Sequence, residues 1–190
     1  IDRRPAKDMY LGRCYGMGKN KMAKKLNCSV EQAVQTLKNF DEKVPFVKEI
    51  ADSATLNAQR RGYIKTLLGR RRHFNFWEPI DRYQREQAGE AIMPLRLKSA
   101  EERWKGIKLQ RANTHKALNA LIQGSAADMI KSAMLQINQE LGIVPYISMH
   151  DEIDTGVTPE TSPEVTRIIE SCVDMTVPIR SDVDVGEHWK

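Results

Sequence analysis

Apolar and polar positions along the first sixty residues recur at helical spacing. Residues 3–17 read as a helix with Pro5 in its first turn, where a missing N–H does no harm, and Gly16 and Gly18 punctuate its end. A shorter helical stretch follows over about 19–26. Ser29 offers an N-cap with Gln32 at the capping-box position, and Val30, Val34, Leu37 and Phe40 repeat behind it. Pro45 interrupts, and a further helix is predicted over about 45–59. The period then changes. Residues 62–66 read as a strand, Leu68-Gly69 turns, and residues 71–74 return as a hairpin partner. Residues 75–111 hold Trp77, Pro79, Pro94, Trp104 and many charges, and predict one or two short helices with loops between them. The longest helix is expected over about 113–141, stopping at Gly142. A strand over 144–149, a tight turn at His150-Asp151 and a strand over 152–157 follow. Ser162-Pro163 then opens a helix to about 176, and a last strand is expected over 179–185. The order is helices first, then β-β-α-β, an α+β arrangement.

Composition narrows the class. Hydrophobic residues make up 41% of the 190 and charged residues 29%, the balance of a soluble globular chain. No apolar run approaches the ~20 residues that span a bilayer, and no charged-then-apolar leader opens the sequence, so neither a membrane nor secretion is expected. Cys14, Cys28 and Cys172 are scattered and form no C-x-x-C pair, which argues against a zinc or redox site and fits a reducing interior. The first residue is Ile1 rather than Met, so a processed, truncated or partial chain is expected. Net charge is +5, unevenly spread. Residues 1–25 hold eight basic residues against two acids, and residues 60–73 six against none, whereas residues 140–190 hold three against eleven. A basic front and an acidic back suit a polyanion at one surface and metal-compatible carboxylates at another.

Three constellations carry possible chemistry. Arg3, Lys7, Leu11 and Tyr15 lie four residues apart and form one ridge of a helix. Two cations followed by an apolar group and a ring suit a nucleoside triphosphate, although a solvated basic face has the same spacing. Met149-His150-Asp151-Glu152-Ile153 places adjacent carboxylates between two strands, a device for holding Mg²⁺ that is also an ordinary Asp-containing turn. His115, Asn119 and Gln123 make a polar stripe on the long helix; such a stripe can read minor-groove acceptors or simply be exposed.

Together these segments resemble the family A DNA polymerases. Arg3-Arg4-Pro5-Ala6-Lys7 through Tyr15-Gly16-Met17-Gly18 resembles motif B, and the segment from Arg61 through Gly69 to Arg71 resembles a stretch found further on. Ala117 through Gln123-Gly124-Ser125-Ala126-Ala127-Asp128 resembles the long helix between fingers and palm. His150-Asp151-Glu152 matches motif C, and Val183-Asp184-Val185-Gly186-Glu187-His188-Trp189 looks like the family's C-terminal end. The resemblance implies helical fingers over 1–111, with a hairpin and an insertion at about 75–111. Residues 112–190 would supply a long helix and the second half of an antiparallel palm sheet, incomplete without an upstream half-palm.

The same resemblance implies roles. Arg3 and Lys7 would hold the incoming triphosphate, with Lys7 the proton donor to pyrophosphate. Tyr15 would stack in the nascent-pair pocket. Leu11 stands where the family usually has Phe or Tyr against the deoxyribose, which puts sugar discrimination in doubt. Asp151 would be a ligand of the catalytic metals, two Mg²⁺ ions or Mn²⁺, with Glu152 in a lesser role. His150 would sit near the primer terminus, and Asn119 and Gln123 on the minor groove. His115 fills a DNA-contacting position where cellular relatives often have Arg. The implied partners are primer-template DNA, dNTPs and an upstream chain or region supplying motif A, the thumb and an exonuclease if there is one, with no membrane. Without motif A this chain is expected to be inactive alone. The expected location is the cytoplasm, that of a bacterial host if the chain is phage-encoded. Two other readings stay open: a non-catalytic DNA-binding subunit of polymerase origin, and a fragment of a single-subunit RNA polymerase, which usually carries His-Asp-Ser at motif C.

Overall fold

The computed structural model describes residues 3–81 and 93–186; of Arg3, Arg4, Pro5, Asp8 and Arg13 only the backbone is described. The closing Glu187-His188-Trp189 lies outside the described residues, as does the middle of the 75–111 segment. The chain divides into two compact units, residues 1–122 and 123–190, with the cut inside the longest helix.

The first unit opens with four helices: α1 (Arg3–Cys14), α2 (Lys19–Leu26), α3 (Val30–Lys43) and α4 (Pro45–Arg61). Their ends follow local chemistry. Ser29 Oγ accepts from the Gln32 amide at 3.2 Å while Gln32 Oε1 accepts from the Ser29 amide at 3.0 Å, closing a capping box at the start of α3. Pro45 opens α4 at a position that needs no N–H, and Gly62, at φ 75°, ends it in the left-handed conformation. Gly12 of α1 lies where a Cβ would come within 2.9 Å of Met22 Cε, so the missing side chain leaves room for the Met22 terminus between α1 and α2. Met22, Ala23 and Ala33 are buried between the first three helices.

A second cluster joins α4 to the β segments. Strands β1 (Tyr63–Lys65) and β2 (Arg71–His73) form an antiparallel hairpin with Tyr63 opposite His73 and Lys65 opposite Arg71. Ile64 and the adjoining Phe74 turn inward onto Val47, Ala54, Ala58, Ala117 and Leu118. The 75–111 segment differs from expectation. Among its described residues it holds one short helix, α5 (Leu97–Arg103), but also a three-stranded antiparallel sheet in the order β4 (Leu95–Arg96), β3 (Phe76–Pro79), β5 (Leu109–Arg111). Strands of two to four residues are too short to display a period of two, and Trp77 pairs with Arg111 across 34 positions, a contact with no local signature.

A 3₁₀ turn (Thr114–Lys116) leads into α6 (Ala117–Leu141), which ends at Gly142 with φ 66°. In the second unit, β6 (Ile147–Met149) and β7 (Glu152–Asp154) form a hairpin, and α7 (Ser162–Ser171) follows. Ile137, Val165 and Ile168 are its buried cluster. Helix α7 stops sooner than the expected 176. The Cys172 carbonyl is taken by Ser132 Oγ and Gln136 Nε2, each at 3.0 Å, rather than by a further turn, and Pro178 disfavours helix just ahead of it. The strand expected over 179–185 is likewise absent. That run has no ladder partner among the described residues. It is tied instead by the Ser181 amide donating to Glu170 Oε1 at 3.0 Å. The β-β-α part of the expected order stands and the final β does not, while the class of helices with small antiparallel sheets holds.

Candidate active site

The ridge read from the sequence lies on α1. Gly12 and Cys14 are buried, Gly12 toward Met22 and Cys14 toward the α4 core; Lys7 is exposed, Leu11 is half-buried and Tyr15 is 41% exposed. The Arg3 backbone is helical, and its side chain is among those not described. The Tyr15 amide donates to the Leu11 carbonyl at 2.9 Å, so the ring is held one turn beyond Leu11 on the same ridge. Gly16 follows with φ 67°, and a Cβ there would come 3.1 Å from the His115 carbonyl oxygen. The end of α1 therefore sits against the turn that starts α6, bringing together two groups a hundred residues apart in sequence. Sequence reasoning missed this contact; its local trace is the glycine itself.

His115 is in the 3₁₀ turn before α6. Partial burial holds its imidazole below the usual histidine value, the Lys116 charge adds to that, and Glu78 opposes it. The neutral form of the ring is therefore favoured. The sign follows: protonation of His115 is resisted in the folded state, so its contribution favours folding above the usual histidine value and is lost as pH falls below it. One turn into α6, the Asn119 side-chain oxygen is buried with no protein partner, an acceptor left for a donor the described residues do not supply. Gln123, one turn further along the helix, is exposed.

In the second unit the β6–β7 hairpin pairs Met149 with Glu152 across a two-residue turn of His150 and Asp151. Every residue from Tyr146 to Glu152 is exposed, so both carboxylates stand at an open tip. His150 has φ 57°, a left-handed conformation uncommon for a residue with a side chain and tolerated by histidine better than by most. Adjacent exposed carboxylates are hard oxygen donors of the kind divalent ions prefer. Among the described residues no three His, Cys, Asp or Glu side chains converge as a metal site, so the donor set here fits part of such a site. No described helix is long and apolar enough to cross a membrane.

The sequence pattern of DNA polymerase family A matches residues 1–190. The chain belongs to that family. A DNA-directed DNA polymerase of Pseudomonas phage M6 is 32% identical over 224 residues, covering all of this chain and 29% of the phage protein. The thermostable DNA polymerase I of Thermus aquaticus is 28% identical over 98% of this chain and 20% of its own length. The solved POL domain of Pol1 from M. smegmatis, in complex with DNA primer-template and dNTP, superposes with a TM-score of 0.70 at 27% identity, over 93% of this chain and 28% of that one. The family A chain described here thus spans less than a third of each of these relatives.

Proposed function

We propose that this chain serves template-directed DNA synthesis, joining a dNTP to a primer 3′-hydroxyl with release of pyrophosphate. It would do so as part of a site whose other metal-binding aspartate comes from a region or chain outside these 190 residues. The observation that carries this reading is the Asp151-Glu152 pair at an open two-residue turn, in a family A chain. In this reading Asp151, with Glu152 beside it, would hold Mg²⁺ or Mn²⁺, which when bound lowers the barrier for the primer hydroxyl and neutralises charge on the leaving pyrophosphate. Arg3 and Lys7 bind the triphosphate, and Lys7 Nζ gives a proton to the leaving pyrophosphate oxygen. Tyr15 stacks against the nascent pair, and Leu11 lies at the sugar. Asn119 and Gln123 donate to minor-groove acceptors. His150 contacts the primer end and His115 the DNA backbone. The apolar residues of the second hairpin support the need for an outside half-palm: Tyr146 is 75% exposed, Ile147 44% and Met149 41%.

The test is primer extension by the full-length protein and its Asp151→Ala variant with Mg²⁺. Loss of a metal-binding carboxylate is expected to reduce kcat by roughly 10³-fold or more, with primer-template affinity retained. Near-normal synthesis by Asp151→Ala would overturn the reading, as would robust synthesis by the isolated 190 residues.

A further inference from the structure

The first unit carries a second charged surface, which the reading above leaves unused. In the β1–β2 hairpin, side chains alternate between two faces. Ile64 goes to the core, so Tyr63 and Lys65 point the other way, together with their cross-strand partners His73 and Arg71. On that outer face the Tyr63 and His73 rings lie 5.8 Å apart at 48°, and the Arg71 guanidinium sits 4.8 Å from the Tyr63 ring centroid. Lys65 and Arg71 are directly opposite each other, a like-charge pairing that weakens a hairpin. Neither has a carboxylate partner among the described residues. Beside the face, between α4 and β1, runs an open groove of about 380 Å³ lined by Asn57, Arg61, Tyr63 and Lys65, with Ile50 on its wall and Glu49 as its one acid. Opposing two cations costs the hairpin stability, offset in part by the Arg71 contact with Tyr63; beside them the His73 ring is exposed and the Tyr63 ring half-buried. A bound polyanion with flat faces removes the repulsion and uses the rings.

We infer that this hairpin face and its groove bind single-stranded DNA, with bases stacking on Tyr63 and His73 and phosphates meeting Lys65, Arg71 and Arg61. A duplex hides its base faces, so the rings select an unpaired strand. The binding chemistry stands on the hairpin alone; that the strand belongs to a replication substrate rests on the polymerase reading. Two strands have this chemistry, the template ahead of the primer and a displaced strand.

The test uses the full-length protein and a labelled oligothymidylate of about twenty nucleotides, followed by fluorescence anisotropy across a salt series. Lys65→Gln with Arg71→Gln is expected to lower the slope of log affinity against log salt by about 1.4, two contacts at roughly 0.7 each. Tyr63→Leu is expected to weaken binding about tenfold, and Tyr63→Phe to leave it unchanged. The Gln pair removes both a like-charge contact and the Arg71 contact with Tyr63, so its unfolding temperature should change little, and that measurement separates lost binding from misfolding. Three further substrates assign the strand: a blunt primer-template, one with a long template overhang, and a fork with a displaced flap. Loss on the overhang identifies the template, and loss on the flap identifies the displaced strand. Equal loss on all three, or unchanged slope and affinity in both variants, overturns the inference. If oligothymidylate binding responds as stated while the wild type extends no primer, the polymerase reading fails and this one survives.

Discussion

Two hairpins of equal strand length show how differently the same element can be held. In the β1–β2 hairpin Ile64 is 6% exposed and Phe74, at its end, likewise 6%, and both lie in the core built on α4. The Thr66 amide donates to the Arg70 carbonyl at 2.8 Å and the Phe74 amide to the Gly62 carbonyl at 2.8 Å, so the ladder is closed at both ends. In the β6–β7 hairpin all of β6 is exposed, and the described ladder gains one further bond, from the Tyr146 amide to the Asp154 carbonyl at 2.8 Å. A two-stranded ribbon is marginal in water without a packed face. The first hairpin has such a face within its own unit. The second presents apolar side chains and carboxylates with no comparable cover among the described residues of its unit. The first carries cations and rings, the second adjacent acids.

The largest test of this contrast is a pair of truncations. Ile64→Ala removes a buried side chain from a packed core and is expected to cost about 2–5 kcal/mol in chemical denaturation. Ile147→Ala, at a position 44% exposed, should change the stability of the isolated chain by less than about 0.5 kcal/mol. In the full-length protein the second value should rise if an upstream half-palm covers β6. Equal costs in the isolated chain would erase the distinction between the hairpins.

Much of this was legible in the sequence where one residue dictates local geometry. Ser29 with Gln32, Pro45 at a helix start, Gly142 at a helix end and the His150-Asp151 turn each act over a few positions, and the structure has each where the pattern put it. What was not legible depends on partners distant in sequence. The β3–β4–β5 sheet is held by pairing between residues up to 34 positions apart, and the run at 179–185 has strand-like composition but no described neighbour to pair with. The candidate site divides the same way. The ridge of Lys7, Leu11 and Tyr15 follows from spacing. The seat of Gly16 on the His115 carbonyl and the buried free oxygen of Asn119 come from packing alone.

A smaller effect probes how the first hairpin is tied to its unit. The Arg111 guanidinium stacks 4.6 Å from the Trp77 ring, donates through Nε to the Gln59 carbonyl at 3.2 Å and through a terminal nitrogen to the Phe74 carbonyl at 2.9 Å. A Cβ at Gly62 would lie 2.7 Å from its central carbon, and Gly62 already has φ 75°. Gly62→Ala therefore meets both a strained backbone and an occupied space. The expected cost is about 1–3 kcal/mol, read as a lower denaturation midpoint at unchanged m-value. Arg111→Ala in the same background should recover part of it, because the clash goes while the backbone strain stays.

The smallest effect concerns the second hairpin's turn and separates backbone from side chain at one position. A left-handed conformation costs an L-residue roughly 1–2 kcal/mol and glycine almost nothing, and His150 sits at φ 57° beside Asp151. His150→Gly should relieve that strain but also loosen the unfolded chain, so the net gain is at most about 1 kcal/mol. If the imidazole serves only to fill the turn, primer extension by the full-length protein should be unchanged. If it contacts the primer end as proposed, KM for primer-template should rise while the turn becomes more stable. A strained residue kept where glycine would fold better is then explained by what its ring touches, and a variant that is both more stable and fully active would remove His150 from the site.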